Sequence, residues 1–479
     1  MKRQVLISLL SFLILAGCKI QQVDKPENRI YLPNQYQGLE SDSLVNSSQV
    51  QWESYFKDEY LKNLIRTALD NNQDNQIALQ KIQASVAAMS RARMGVFPSI
   101  SLNAGASKRK FGEYTMDGVG NFDTNFSENI GEDKKLPDPY RDFMLGAQFA
   151  WELDVWGKLR NQKRAAVSRM LASEEMSKHV RTYLVAEVAT NYYRLLALDK
   201  ELEVLEENIR LQELALQLII ELKEGGKANQ LAIDQFEALV LNTRAQLQAK
   251  NRELKSAEYN LARLIGSLDF SMERMDLDSA ITIQEKIQAG LPSDLIQNRP
   301  DLKEAEFQLR ASNADVNRAK AAFYPSFNLF GLAGFNAFDF GKLFLNPASG
   351  VYQMGAGITA PIFNRREIRS LYEIAKADQQ IALLEYEKKT LNAYLEVLDL
   401  VNQMETYDQQ LKMKQYEVSV LERSIEHSNT LFSVGYANYL EVINAQSRTL
   451  ESAIELADLK ASRLQANVQL YKALGGGWN

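Results

Sequence analysis

Cysteine occurs once in these 479 residues, at position 18, and histidine twice, at 179 and 427. A single thiol excludes a disulfide within the chain and a thiolate metal cluster. His179 and His427 stand in different halves of the sequence, and neither sits in a metal-binding motif. The twelve methionines form no clustered pairs, so they read as ordinary gap-filling residues and not as a soft-metal path. Positive charge is not in excess: the net charge is −6, against a nucleic-acid footprint, which needs a basic face. A nucleophile–base constellation, a phosphate loop and a nicotinamide fingerprint are all missing, which speaks against an enzyme and for no cofactor and no bound metal. The one sustained apolar run, Val5 to Leu15, is too short for a permanent membrane helix. Preceded by Lys2 and Arg3, it has the anatomy of a signal peptide over residues 1–17.

Proline is scarce too. The ten prolines leave residues 140–291 and 362–479 without one. Proline inside a helix costs about 3 kcal/mol, so its absence permits long helices. Periodicity supplies the positive evidence. Leu195, Leu198, Leu202, Leu205, Ile209, Leu216 and Ile219 follow a heptad spacing broken at Gln212. Such spacing puts one seam of side chains against a partner helix. A helix starting after Gly157 meets neither glycine nor proline before Glu224, a length of roughly 100 Å at 1.5 Å per residue. The second tract repeats the layout, with a run from about Arg366 to Phe432, then "SVGYAN", then a shorter helix to Leu474. At a constant offset of 209, "GKANQL" from Gly226 faces "GYANYL" from Gly435, and "LARLIG" faces "LYKALG". The chain is an internal duplication.

Between each Pro-Ser (98–99 and 325–326) and the following long helix, the period changes from 3.5 to two. In "DFMLGAQFAWELDVWG", Phe143, Leu145, Ala147, Phe149, Trp151 and Leu153 alternate with small or polar residues. Residues 99–107, 326–335 and 351–363 alternate more weakly. Each segment matches the length of a tilted strand that crosses a bilayer. Four strands cannot live alone in lipid, because their edge N–H and C=O groups stay unsatisfied. Two copies would give eight strands with a filled interior, and three would give twelve with room for water. Closure therefore predicts a homotrimer.

Two resemblances add to this. Leu15-Ala16-Gly17-Cys18 resembles the lipobox of bacterial lipoproteins, which implies cleavage before Cys18 and covalent lipid on it. Lys19 then favours the outer membrane, by analogy with lipoprotein sorting. Together with "WESYFKDEYLKNLIRTALDNNQDNQIALQKI" (52–82), "FPS" (97–99), "WELDVWGKLR" (151–160), "GLPSDLIQNRPDLKEAE" (290–306), "YPS" (324–326), "APIFN" (360–364) and "VGYANYLEVINAQ" (434–446), the chain resembles the TolC-like outer membrane efflux family, in its NodT-like lipoprotein branch.

The fold class implied is mainly α with a small β part, duplicated. Four transmembrane strands per chain would form a trimeric 12-stranded β-barrel continued by a periplasmic α-barrel. The expected organisation is a lipid-anchored segment 18–50, a first repeat 51–266, an inter-repeat equatorial segment 267–298, a second repeat 299–475 and a tail 476–479. The hairpins fall at 99–156 and 326–363, and the tip turns at 225–230 and 433–439. The implied function is the passive exit duct of a tripartite pump, fed by an inner-membrane transporter of the resistance-nodulation-division (RND) class through a periplasmic adaptor. Metal-ion efflux, type I protein secretion and a lipid-anchored periplasmic coiled-coil spacer stand as alternatives. Gly225, Gly226, Ala228, Gly435 and Ala437 at the tips are candidates for closing the duct and docking the adaptor; ordinary αα-turn chemistry is the competing account. Glu441 falls where similar channels carry a constricting acidic residue, although the family's next acidic position is Asn444 here. The first repeat has Ala232 at the matching position, with Asp234 as its nearest carboxylate. Either carboxylate is equally readable as a solvated surface charge.

Overall fold

The structure, a computed structural model, describes residues 27–33, 35–36, 50–268, 272–283 and 290–478. The signal segment, Cys18, most of 18–50, parts of 267–298 and Asn479 lie outside the described residues. In chain order the first repeat supplies α1 (Trp52–Tyr55), α2 (Glu59–Asn71), α3 (Gln73–Met94), β1 (Ser99–Arg109), α4 (Met116–Phe126), β2 (Tyr140–Leu153), α5 (Lys158–Glu224) and α6 (Gln230–Ile265). Then come α7 (Leu277–Ile283), α8 (Asp294–Asn298), α9 (Pro300–Ala321), β3 (Ser326–Ala337), β4 (Gly350–Thr359), α10 (Glu367–Ser433) and α11 (Tyr439–Ala473). Two compact units draw on both repeats. One is Val86–Arg169 with Leu309–Ile381; the other contains Glu27–Ser85, Met170–Gln308 and Ala382–Asn479.

The first unit is built on one antiparallel sheet in the order β1-β2-β3-β4. Register decides its two faces, because a strand turns alternate residues to opposite sides. The pairing aligns Ile100, Leu102, Ala104 and Ala106 with Phe149, Ala147, Leu145 and Phe143. These in turn align with Gly331, Ala333, Phe335 and Ala337, and β4 adds Tyr352, Met354, Ala356 and Ile358. That face is apolar from edge to edge. The opposite face carries Ser101, Asn103, Gln148, Glu152, Asn328 and Gln353, interrupted by Phe330 and Leu332. Ile100, Leu102, Tyr352 and Met354 are exposed in the single chain. An apolar sheet face of this extent needs an apolar solvent or a partner.

The Pro-Ser motifs mark the helix-to-strand junctions: α3 ends four residues before Pro98, and α9 four before Pro325. Indole groups fasten both. Trp151 Nε1 donates to the Val96 carbonyl (2.9 Å) and Trp156 Nε1 to that of Pro325 (2.7 Å). Pro361 lies just beyond β4, which ends at Thr359 and not at 363. The segment between β1 and β2 contains α4, capped by the Thr115 hydroxyl accepting from Gly118 N (3.1 Å).

In the second unit the heptad seam of α5 is core. Leu195, Leu198, Leu205 and Ile219 are fully buried, each stabilising by about 1.5–3 kcal/mol. Trp52, Leu61, Ile65, Tyr192 and Leu261 pack in the same cluster as Leu195 and Leu198. Tyr55 stacks on Tyr471 at 4.0 Å. Buried Asp58 caps α2, accepting from Tyr60 N at 2.8 Å, and takes a hydrogen bond from the Tyr192 hydroxyl.

A Cβ on Gly334 would lie 2.2 Å from the Leu145 carbonyl oxygen and 2.4 Å from Gly146 Cα, whereas Gly105 has open space. Gly334→Ala should therefore destabilise the sheet by about 1–3 kcal/mol. Gly105→Ala should leave the thermal unfolding midpoint near wild type.

Candidate functional site: the two helix-hairpin tips

Both tips lie in the second unit and share one backbone design. At the first, Lys227 N donates to the Leu222 carbonyl (2.8 Å); at the second, Tyr436 N donates to that of Leu431 (2.9 Å). These six-to-one bonds close the ends of α5 and α10 and require a left-handed residue just before the donor. Gly226 (φ +69°) and Gly435 (φ +81°) supply it. A Cβ at either would meet nothing within 4 Å, so within this chain the turn and not close packing demands glycine. The return helices are capped alike: Asn229 Oδ1 accepts from Ala232 N (3.0 Å), and Asn438 Oδ1 from Leu440 N (2.9 Å) and Glu441 N (3.3 Å).

One apolar cluster ties the hairpins together. Ile219, Ala232, Phe236 and Val442 are buried in it, with Ala228, Phe432 and Tyr439 against them. The repeats therefore differ where the carboxylate question matters. Ala232 is fully buried, while its counterpart Glu441 is exposed beside buried Val442. A carboxylate at 232 would be desolvated in an apolar cluster, so the first repeat has no equivalent of Glu441. Asp234 accepts from Gln230 Nε2 (2.6 Å), and Gln230 in turn accepts from Lys223. Glu441 has no ion-pair partner among the described residues.

A profile described as Outer membrane efflux protein matches residues 64–267 and again 291–476. The chain belongs to the outer membrane efflux protein family. The doubled match coincides with the internal duplication. "Cation efflux system protein CusC" of Escherichia coli O6:H1 is 29% identical over 470 residues, 97% of each chain. "Pyoverdine export outer membrane protein OpmQ" of Pseudomonas aeruginosa is 30% identical over 473 residues, 98% of this chain and 97% of that one. A crystal structure of CusC superposes with a TM-score of 0.82 at 27% identity, covering 95% of this chain and 100% of that one.

This outer membrane efflux protein also carries two ionic clusters that motif reading did not single out as sites. Arg194 on α5 bridges Glu253 of α6 (3.3 Å), Asp458 of α11 and fully buried Glu201 (3.3 Å), which Lys250 meets at 2.6 Å. Burial pushes the Glu201 carboxyl up, against the pull of Lys250. Arg299, within the quoted "QNRPDL", grips Asp301 (2.8 Å), Glu396 of α10 (2.7 Å) and the Ala473 carbonyl (2.9 Å). It thereby joins the start of α9 to both helices of the second hairpin. Burial works to raise the Asp301 carboxyl, but the Arg299 guanidinium outweighs it and holds it below the usual carboxylate range. His179 lies close enough to feel these charges, and burial lowers its pKa.

The sign for Asp301 follows from linkage. A carboxylate with a depressed folded pKa stabilises above its unfolded value near 3.9, and that contribution vanishes as pH falls through the folded pKa. The thermal midpoint gap between wild type and Asp301→Asn should be full at pH 6–7 and narrow steadily below about pH 4. In the tips, Gly226→Ala and Gly435→Ala should each cost about 1–2 kcal/mol from φ alone. Gly475→Ala, which adds a contact of 2.7 Å with the Asn298 backbone to φ +95°, should cost more than either. Comparative thermal unfolding checks the order.

Proposed function

We propose that this outer-membrane efflux channel works as a homotrimeric, passive exit duct. The observation that carries the reading is the sheet: four strands, one continuous apolar face, and two open edges in the single chain. Three copies, each joining its β1 edge to a neighbour's β4, give twelve strands and satisfy every edge. The spacer alternative has no use for such a face. The tips would stand in the periplasm as the duct's inner mouth. The capped turns at Gly225, Gly226, Ala228, Gly435 and Ala437 would meet a periplasmic adaptor there, with an inner-membrane RND transporter supplying the energy. The processed Cys18 would carry lipid and secure the chain to the membrane.

Cargo belongs to the partner and not to the duct. The two relatives above, named for cation efflux and for pyoverdine export, are 29% and 30% identical to this chain. Small molecules delivered by the pump are the reading supported best, with ions or proteins as variations on the same duct.

Glu441 is the better constriction residue of the two exposed acidic candidates, because it has no side-chain partner among the described residues while Asp234 is engaged by Gln230. Three copies around one axis would attract cations. In planar bilayers Glu441→Ala should change single-channel conductance or reduce cation preference, and Asp234→Ala should do so less. Unchanged conductance and selectivity would remove Glu441 from the mechanism. A purified protein that stays monomeric in detergent and leaves vesicles impermeable would overturn the duct itself.

A further inference from the structure

The chain is acidic overall, yet the stretches that leave and enter the strands are not. Residues 75–98 hold Lys81, Arg91 and Arg93 with no Asp or Glu. Residues 158–173 hold Lys158, Arg160, Lys163, Arg164 and Arg169, again with none. Where a carboxylate does occur nearby it is committed. Asp154 caps the start of α5, accepting from Leu159 N and Arg160 N (2.9 Å each), and pairs with the Arg160 guanidinium (3.0 Å). Asp315 pairs with Arg169 and with Arg318 (3.4 Å).

The geometry gathers part of this charge into one place. Between the first turns of α5 and the second half of α9 lies an open cavity of about 620 Å³. Arg160, Lys163, Arg164 and Arg310 line it with Asn313 and Asn317, and no carboxylate does. Residues 160–164 stand within roughly 10 Å of the start of α5, itself five residues past β2. Trp156 stacks on Tyr324 at 5.0 Å beside the same strand ends. An aromatic belt followed by arginine and lysine is the order of groups met on leaving hydrocarbon for lipid phosphate. After β4 the order recurs in part: Ile362 and Phe363 are 97% and 87% exposed and Arg365 and Arg366 follow, although Glu367 comes next and Arg369 is paired with Glu373 (3.0 Å).

We propose that this cavity, within a basic collar at the periplasmic ends of the strands, binds the phosphate groups of anionic phospholipids in the inner leaflet of the outer membrane. The proposal rests on the reading that the sheet crosses that membrane. Cationic forks and ammonium groups suit a phosphodiester, and Lys163 and Arg164 carry the proposal, because Arg160 is already paired with Asp154. The ligand is the lipid and not free phosphate, because the apolar and aromatic neighbours would hold acyl chains beside the charge.

The test uses the full-length protein, delipidated in neutral detergent, with phosphatidylglycerol, phosphatidylcholine of the same chains, or inorganic phosphate added. Native mass spectrometry and the thermal midpoint are the readouts, and conductance in planar bilayers runs alongside. Phosphatidylglycerol should stay bound and raise the midpoint of wild type. The double variant K163Q/R164Q should bind it about tenfold more weakly or worse, while the charge-keeping Lys163→Arg should not. Equal binding of phosphatidylcholine, or an equal effect of inorganic phosphate, would overturn the proposal. So would a K163Q/R164Q channel with altered ion selectivity but unchanged lipid binding, since the cations would then face the duct. Normal conductance together with absent lipid preference defeats the collar and leaves the channel standing; absent conductance in wild type defeats the channel reading.

Discussion

The constraint on which the structure depends is the hydrogen-bonding demand of two strand edges. β1 and β4 each present a row of backbone groups with no strand partner among the described residues, beside a face that water does not suit. In hydrocarbon such groups cost several kcal/mol each. An acidic chain with two hairpins has one economical answer, which is to repeat itself in space as it has already repeated itself in sequence. Within one chain, small residues where strands approach and indole bonds at the junctions hold the sheet together. Gly331 and Gly355 illustrate the fit: Phe149 lies over the first on the apolar face, and Phe330 over the second on the other. An aromatic ring covering a strand glycine restores the contact that the missing side chain forfeits.

Much of this was legible before any coordinates. Period two in 143–153 gave the lipid-facing residues of β2 one by one, because alternation leaves no freedom once a strand is assumed. The long helices followed from scarce proline and the heptads, and α5 runs over Lys158–Glu224 as the glycine positions implied. What escaped were features with no short-range pattern. α4 was hidden in a polar loop because Met116, Val119, Phe122 and Phe126 are too few to outweigh their acidic neighbours. Phe330 and Leu332 fall on the face that alternation alone assigns to polar groups. Gln212 looked like a break in the heptad, yet it is fully buried with its amide unsatisfied among the described residues. A sequence shows that the seam is interrupted there, but not that the interruption is kept inside.

The tips divide in the same way. Gly-x-Ala-Asn, twice at one offset, identified two turns, and the left-handed φ values at Gly226 and Gly435 give the reason. The inequality of the two hairpins was only half visible. Ala232 was readable as the partner of Glu441, but its burial, which forbids a carboxylate there, needed the packing of Phe236 and Val442. The Arg194 and Arg299 clusters draw partners from helices far apart in sequence, and no spacing rule reaches that far. They tie the helices of each hairpin together by ion pairs well away from the turns.

Native-state hydrogen exchange of the edge strands in the assembled protein tests the central claim most directly. If β1 and β4 pair across copies, the backbone amides on their outer edges will exchange as slowly as those of β2 and β3. Edge amides that exchange at the rate of the 110–139 loop, in a particle that still conducts, would contradict the account.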